Sequence, residues 1–392
     1  MLGVDLMLKK WKKTISIPVI YGFLFVLIIF GIGAVNIKKV MDFWMNDKVD
    51  YNEWNVTLGS KTETDYISNF WEKMQFVNLN GFMCKLLGQH EMNGVVKLKN
   101  GYLVTTYPYA SNEMLQEKAN NLYALDSRLK ERNISMLYAM CPYTSSKWDS
   151  QMPLGVEDYG NENMDRFMGM ISEYGIENID FREEMYADGI DQYDMMYKTD
   201  HHWTTQAGFY AYTKLLDWIQ EKTDCKVDEN VKEISNYQQT TYKNWHLGSR
   251  GQRTGIYYAG IDDFILITPD FETSISNGTV EGSFKDLIID ESPLRNREYT
   301  SRYTYDYVLG NALGNYTNNF ARNDVKVLVI TDSFGKAVNP YLILSFKEVQ
   351  WCVSMQEITE EYIDGYKPDV VIVMYYANAV CEDNVFFSFN NF

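Results

Sequence analysis

The chain has 392 residues, enough for a full core and for more than one domain. Its composition is globular, 46% hydrophobic and 23% charged, with a formal net charge of −17. Six lysines and one aspartate fall in the first 40 residues, so the remainder is more acidic than the whole, and nucleic acid or a polyanionic glycan matches it poorly. Aromatic residues reach 15%, with 30 tyrosines, which suits stacking on sugar rings and a plain core alike.

Residues Thr14 to Val35 carry no charge. As a helix they span roughly 33 Å, and a bilayer's hydrocarbon core is about 30 Å thick. Lys9, Lys10, Lys12 and Lys13 precede the run and Lys38 and Lys39 follow it, an asymmetry that keeps the N-terminus inside. A cleaved signal peptide competes with this reading, but its apolar stretch is usually shorter, and Gly31 to Ala34 is only a weak cleavage signal. The expected organisation is a cytoplasmic tail (1–13), a membrane anchor (14–36), a juxtamembrane stretch (37–108) and an extracytoplasmic α/β domain (109–392).

Asn100-Gly101 lies between the apolar runs Val95–Leu98 and Tyr102–Leu103 and predicts a hairpin of two short strands. Ser111 caps a helix with Leu115, Leu122, Leu125 and Leu129 at helical spacing. Ile134–Met140 reads as a buried strand ending at Cys141-Pro142. A second helix runs near Met164, Phe167, Met168 and Ile171, with Gly175 as its C-terminal cap. Ile176–Phe181 is a further strand, and Thr204 or Thr205 opens a helix with Phe209, Tyr212, Leu216 and Ile219 on one face.

From 225 to 297 turn residues crowd in and short apolar runs appear, Phe264–Ile267 and Leu287–Ile289, which predicts a β-rich insertion. Val327–Ile330 is a strand, Asn339-Pro340 starts a helix with Asn339 as cap, and Val370–Met374 is a last buried strand. Continuous apolar strands alternating with helices predict a mostly parallel sheet with helices on both faces.

Five cysteines, none in a C-x-x-C pair, exclude a zinc ribbon and do not form a disulfide framework. They read as small buried hydrophobes.

Two short stretches carry chemistry. Asp200-His201-His202-Trp203 offers an acid and a base two residues apart. In extended chain they project to one side, so the carboxylate fixes the imidazole tautomer and the other nitrogen faces the site as a base. Asp332-Ser333-Phe334-Gly335 follows a strand, a setting in which the serine hydroxyl and the next backbone N–H both face a substrate. A serine needs such a base, and His202 is the one placed by motif. Taken singly, each stretch is better explained by caps and turns; taken together they favour the catalytic reading. A metal at Asp200, His201 and His202 is a rival, but adjacent histidines in extended chain point to opposite sides, so no metal is expected.

Thr199-Asp200-His201-His202-Trp203-Thr204 resembles the signature of the DHHW proteins, which belong with SGNH-hydrolase-like proteins of the alginate acetylation group. Asn93–Leu103, Pro142 with Lys147, Gly248–Gly255 and Val329–Phe334 are similar to further blocks of that group. The resemblance implies a three-layer, flavodoxin-like SGNH fold and the triad Asp200, His202 and Ser333. It implies extracytoplasmic O-acetylation of a cell-surface or exported polysaccharide through an acetyl-serine, with a membrane-bound O-acyltransferase as acetyl donor and no cofactor. An acetyl-esterase, or a non-catalytic glycan-binding component of an assembly, are the alternatives. Asn378 is a candidate oxyanion donor, Arg250 with Arg253 a candidate clamp for an anionic substrate group, and Trp203, a further candidate at the oxyanion or substrate, is expected to pack behind the imidazole.

Overall fold

The computed structural model describes residues 17–46, 70, 72–295, 313–352 and 359–389. Two compact units divide the chain, 1–77 and 78–392.

The first unit contains helix α1 (Ile17–Asn46). Within it, Ile20–Lys38 has mean hydropathy 2.4 and is long and apolar enough to cross a membrane. Its apolar side chains are open to the surroundings, as a lipid-facing helix requires. The start of the expected anchor, residues 14–16, and the tail before it lie outside the described residues.

Helix α2 (Lys73–Leu86) leads into the second unit. A small antiparallel sheet follows: β1 (Glu91–Met92), β2 (Val95–Lys97) and β3 (Leu103–Val104). The sequence predicted two strands here. The third arises because Asn93 and Gly94, at φ +52° and +68°, make a second tight turn, besides the one at Gly101. Val96, Leu98 and Val104 join the main core, so this sheet belongs with the α/β unit although the sequence assigned it to the juxtamembrane stretch.

Ser111 caps α3 (Asn112–Glu131), its hydroxyl accepting from Met114 N at 3.1 Å. The Leu115, Leu122, Leu125 and Leu129 stripe is fully buried, worth roughly 1.5–3 kcal/mol per side chain against exposure. Next come β4 (Ser135–Met140), α4 (Gly160–Glu173) and β5 (Asn178–Asp180). β5 is shorter than the predicted strand because Asp180 caps a further helix, α5 (Phe181–Ala187), that the sequence reading lacked. Thr204 caps α6 (Thr205–Thr223), and all four expected face residues are buried.

The stretch expected to be a β-rich insertion is mixed. It holds a long two-stranded ribbon, β6 (Tyr237–His246) with β7 (Asp262–Pro269), and between its strands two short helices, α7 (Ser249–Thr254) and α8 (Ile256–Ala259). β8 (Ile275–Ser276) and β9 (Glu281–Gly282) follow. The Leu287–Ile289 run is not a strand. Ser283 and Asp286 form a capping box, which makes Phe284–Ile288 helix α9, and α10 (Ser292–Arg295) ends this region.

The chain closes with β10 (Leu313–Asn318), β11 (Lys326–Thr331), a 3-10 turn (Ser333–Ala337), α11 (Asn339–Ser345), β12 (Glu348–Cys352), α12 (Glu360–Tyr366), β13 (Val370–Tyr375) and α13 (Ala377–Cys381). Asn339 is not the cap of α11. Val338 holds that position, and Asn339 with Pro340 lies in the first turn.

The main sheet has the order β5-β4-β13-β11-β12-β10-β8-β9. Its first five strands are parallel, and β10, β8 and β9 extend it antiparallel. The fold is therefore α/β with a mixed, partly parallel sheet. Every residue of β13 is buried, so the sheet is covered on both faces at its centre. β11, between β13 and β12 in the parallel part, delivers Ser333 just past its C-terminal end, where open α/β sheets bind ligands.

Candidate active site

The Asp200–His202 segment is a tight loop, not the extended chain the sequence reading assumed. A bridge between Met196 and Trp203 closes it, with Tyr197 N donating to His202 O at 3.2 Å and Thr204 N to Met195 O at 2.9 Å. The buried carboxylate of Asp262 holds it from β7, accepting from Lys198 N (3.0 Å), Thr199 N (2.8 Å) and Thr199 Oγ1 (2.6 Å). Gly248 N donates to Thr199 Oγ1 and Gly251 N to Thr199 O, which fastens the loop to α7. A Cβ on Gly248 would lie 2.2 Å from that of Asp200, so the close approach needs a glycine.

Ser333 opens the 3-10 turn after β11. Asp332 caps that turn, accepting from Phe334 N at 2.9 Å, and its other oxygen accepts from Tyr376 N at 2.7 Å. Trp203 Nε1 donates to Phe334 O at 3.1 Å and its ring packs on Phe334 and Phe181. Trp203 therefore ties the D-H-H-W loop to the serine turn. It is fully buried, so it does not reach a substrate, and the Phe334 ring it packs on also meets the His202 ring, with centroids 5.1 Å apart.

These two anchorages bring the side chains together. His202 Nε2 lies 2.6 Å from Ser333 Oγ, and His202 Nδ1 lies 3.3 Å from Asp200 Oδ1. Burial alone would raise the Asp200 carboxyl, but the imidazole of His202 and hydrogen bonds from His201, His202 and His246 hold it well below the usual range. Burial pushes His202 down to about 4 against the pull of Asp200. At neutral pH the pair is a carboxylate beside a neutral imidazole, with Nε2 placed to accept the Ser333 hydroxyl proton. Burial likewise pushes Asp332 up to about 6, opposed by the Tyr376 and Phe334 amides.

Other residues crowd Asp200. His246 Nε2 lies 3.1 Å from Oδ2, Ser249 Oγ donates to Oδ1 at 2.9 Å, and His201 Nδ1 lies 2.9 Å from Oδ1 and 3.0 Å from Ser249 Oγ. The sequence reading gave neither His246 nor Ser249 a role. The only signal was that His246 is one of four histidines and Ser249 falls in the Gly248–Gly255 block. The two adjacent histidines do not point to opposite sides as expected: the bent loop turns both Nδ1 atoms to Asp200, with ring centroids 3.8 Å apart. The sterics invoked against a metal are thus absent. Asp200, His201 and His202 offer ligand atoms within 4.8 Å of one another, though the Asp200 oxygens are dry and already accept several hydrogen bonds.

Arg250 is not a substrate clamp. It is buried, and its guanidinium donates to Leu103 O (2.7 Å), Thr144 Oγ1 (2.7 Å), Asp200 O (3.0 Å) and Tyr376 OH (3.2 Å). It ties the small sheet, the loop after β4, the D-H-H-W loop and the end of β13 to one point. Arg253 is exposed and donates to Asn93 O. Asn378 lies half-buried in α13, where its carbonyl accepts from Glu382 N and Asn384 Nδ2; no hydrogen bond among the described residues brings its side chain to Ser333. The Ser333 N–H has no acceptor among the described residues and stands beside the half-buried hydroxyl.

Two family models match this sequence: "DHHW protein" over residues 174–352 and "SGNH hydrolase-like domain, acetyltransferase AlgX" over residues 99–244. The chain is thus similar to both families, and the two matched stretches overlap and together run from residue 99 to 352. Bacillus cereus PatB1 is similar in structure at 22% identity and TM-score 0.62, covering 75% of this chain and 99% of that one. A second PatB1 structure, with a sulfonyl adduct, covers the same shares at 21% identity and TM-score 0.58. A DHHW family protein from Eubacterium siraeum is similar to 77% of this chain over 96% of its own length, at 16% identity and TM-score 0.58. At these identities the structures establish the fold. No protein of curated function matches the sequence.

Proposed function

We propose that this SGNH-like protein is an extracytoplasmic O-acetyltransferase of a cell-surface or exported polysaccharide, working through an acetyl-serine. The observation that carries the reading is the 2.6 Å approach of His202 Nε2 to Ser333 Oγ, with Asp200 at the other ring nitrogen. The description of the matching AlgX family as acetyltransferase supports it, and α1 supports a domain tethered at a membrane.

The Ser333 proton passes to His202 Nε2 as Oγ attacks the donor's acetyl carbonyl. The imidazolium, steadied by Asp200, then protonates the leaving group, and acetyl-Ser333 remains. A sugar hydroxyl gives its proton to His202 and takes the acetyl group, and Ser333 regains its proton. The Ser333 N–H is the candidate donor to the oxyanion. Water in place of the sugar makes the same site an esterase. A membrane-bound O-acyltransferase is the donor this chemistry would call for, since acetyl groups activated in the cytoplasm must cross the bilayer.

The test uses the full chain in detergent with a serine-directed sulfonyl fluoride and an activated acetyl ester. Labelling should vanish in Ser333→Ala, and turnover should fall by roughly 10³–10⁶-fold in Ser333→Ala or His202→Ala. Added oligosaccharide acceptor should divert acetyl from water to sugar; no diversion favours the esterase. Undiminished turnover in Ser333→Ala overturns the reading, and loss of turnover in a chelator would move the chemistry to a metal at Asp200, His201 and His202.

A further inference from the structure

Helix α2 faces the wrong way for a soluble domain. Its buried residues are Asn78, Gly81 and Cys84, whereas Leu79, Phe82, Met83 and Leu86 are exposed, as is Leu87 just beyond its end. At about 100° per residue the two sets lie on opposite sides. The inward face is specified. A Cβ on Gly81 would come within 2.1 Å of Thr254 O, so the glycine is what lets α2 lie against α7, and Asn78 Oδ1 accepts from Ile256 N at 2.9 Å. Phe82 meets the edge of Tyr257, itself exposed, which extends the apolar patch onto α8. Scattered exposed hydrophobics are ordinary, but a contiguous stripe at helical period with a built opposite face is an interaction surface.

Its rim carries an exposed lysine in an acidic protein. Lys85 closes the last turn of α2 and lies near enough to Lys97 to add to the lowering that burial imposes on that group. The same chain carries the apolar span Ile20–Lys38 upstream, which as a membrane anchor would tether this unit to a bilayer.

We propose that the outward face of α2 seats on the lipid surface of the membrane that holds α1. Leu79, Phe82, Met83, Leu86 and Leu87 enter the boundary between headgroups and acyl chains, and Lys85 meets anionic headgroups. The proposal rests on reading α1 as a membrane anchor and is independent of the acyl-transfer chemistry.

The test reconstitutes the full chain in phosphatidylcholine–phosphatidylglycerol vesicles. A polarity-sensitive fluorophore is attached at Leu79→Cys, Met83→Cys or Leu86→Cys, with Tyr123→Cys on α3 as control and the unsubstituted chain as blank. A shallow lipid-borne nitroxide should quench the three α2 probes severalfold more than the α3 probe, and aqueous iodide should quench them severalfold less. Leu86→Glu, which leaves the inward contacts untouched, should return the Leu79 probe to iodide. Probes open to iodide and blind to the nitroxide overturn the proposal. Probes shielded from both also overturn it, because the cover is then protein, whether residues 47–69 of the same chain or a second copy.

Discussion

A single carboxylate at Asp200 meets three imidazoles and a hydroxyl, and only one of these partners faces Ser333. His246 holds Oδ2, the oxygen that His202 does not use. Its role is therefore positioning: it fixes the carboxylate's rotation, so that Oδ1 stays under His202 Nδ1. His246→Phe keeps a ring against Tyr197, whose centroid lies 4.5 Å away, and removes the hydrogen bond. A hydrogen bond to a charged group is worth about 1.5–3 kcal/mol, so kcat should fall roughly 10–100-fold with KM unchanged. A rise in KM with kcat intact would assign His246 to substrate binding instead.

At the scale of elements, the site is the meeting of two capped turns held by close backbone contacts. Gly208 on α6 packs against the serine turn so tightly that a Cβ there would come within 2.3 Å of Ala337 O. Gly208→Ala must push α6, which follows His202, away from the turn that carries Ser333. It should destabilise by roughly 1–3 kcal/mol and lower turnover. Gly169→Ala on the exposed side of α4 has nothing within 4 Å and should stabilise by roughly 0.5–1 kcal/mol with turnover unchanged. Melting temperature and ester turnover of the two variants check this together; equal effects would mean the α6 contact does not set the site.

The same elements show what sequence can carry. Val327–Ile330 and Val370–Met374 were legible as central strands because strands buried on both faces are apolar without alternation. Ser111 was legible as a cap, and the helix start as Thr204 or Thr205, because the capping bond is local; the structure makes Thr204 the cap. Leu287–Ile289 was misread because three apolar residues fit either period, and the capping box at Ser283 decided it. Arg250 was misread because its four acceptors come from four distant segments. Nothing in a charged loop residue announces that it will be buried.

Over the whole molecule, two buried groups of the site couple folding to pH in opposite senses. His202 titrates near 4 in the fold and near 6.5 unfolded, so between these values the unfolded chain holds a proton the native one lacks, and stability rises with pH. Asp332 titrates near 6 in the fold and near 3.8 unfolded, so the native chain holds the extra proton and stability falls as pH rises through that window. Each shift is worth roughly 3 kcal/mol, so the two nearly cancel between about pH 4 and 6. Asp200, held low, loses its contribution only as pH falls below about 3.8, outside that window. Urea unfolding of the full chain in detergent at about pH 4.5 and 6 isolates each group as the change in pH slope that its substitution causes relative to the wild type. Relative to the wild type, Asp332→Asn should gain stability toward pH 6 and His202→Phe toward pH 4.5, whatever constant offset each substitution adds. Variants whose pH slopes match the wild type would show that neither group is dry enough in the folded protein to be shifted, and the neutral imidazole that Ser333 needs would then have to come from solution pH alone.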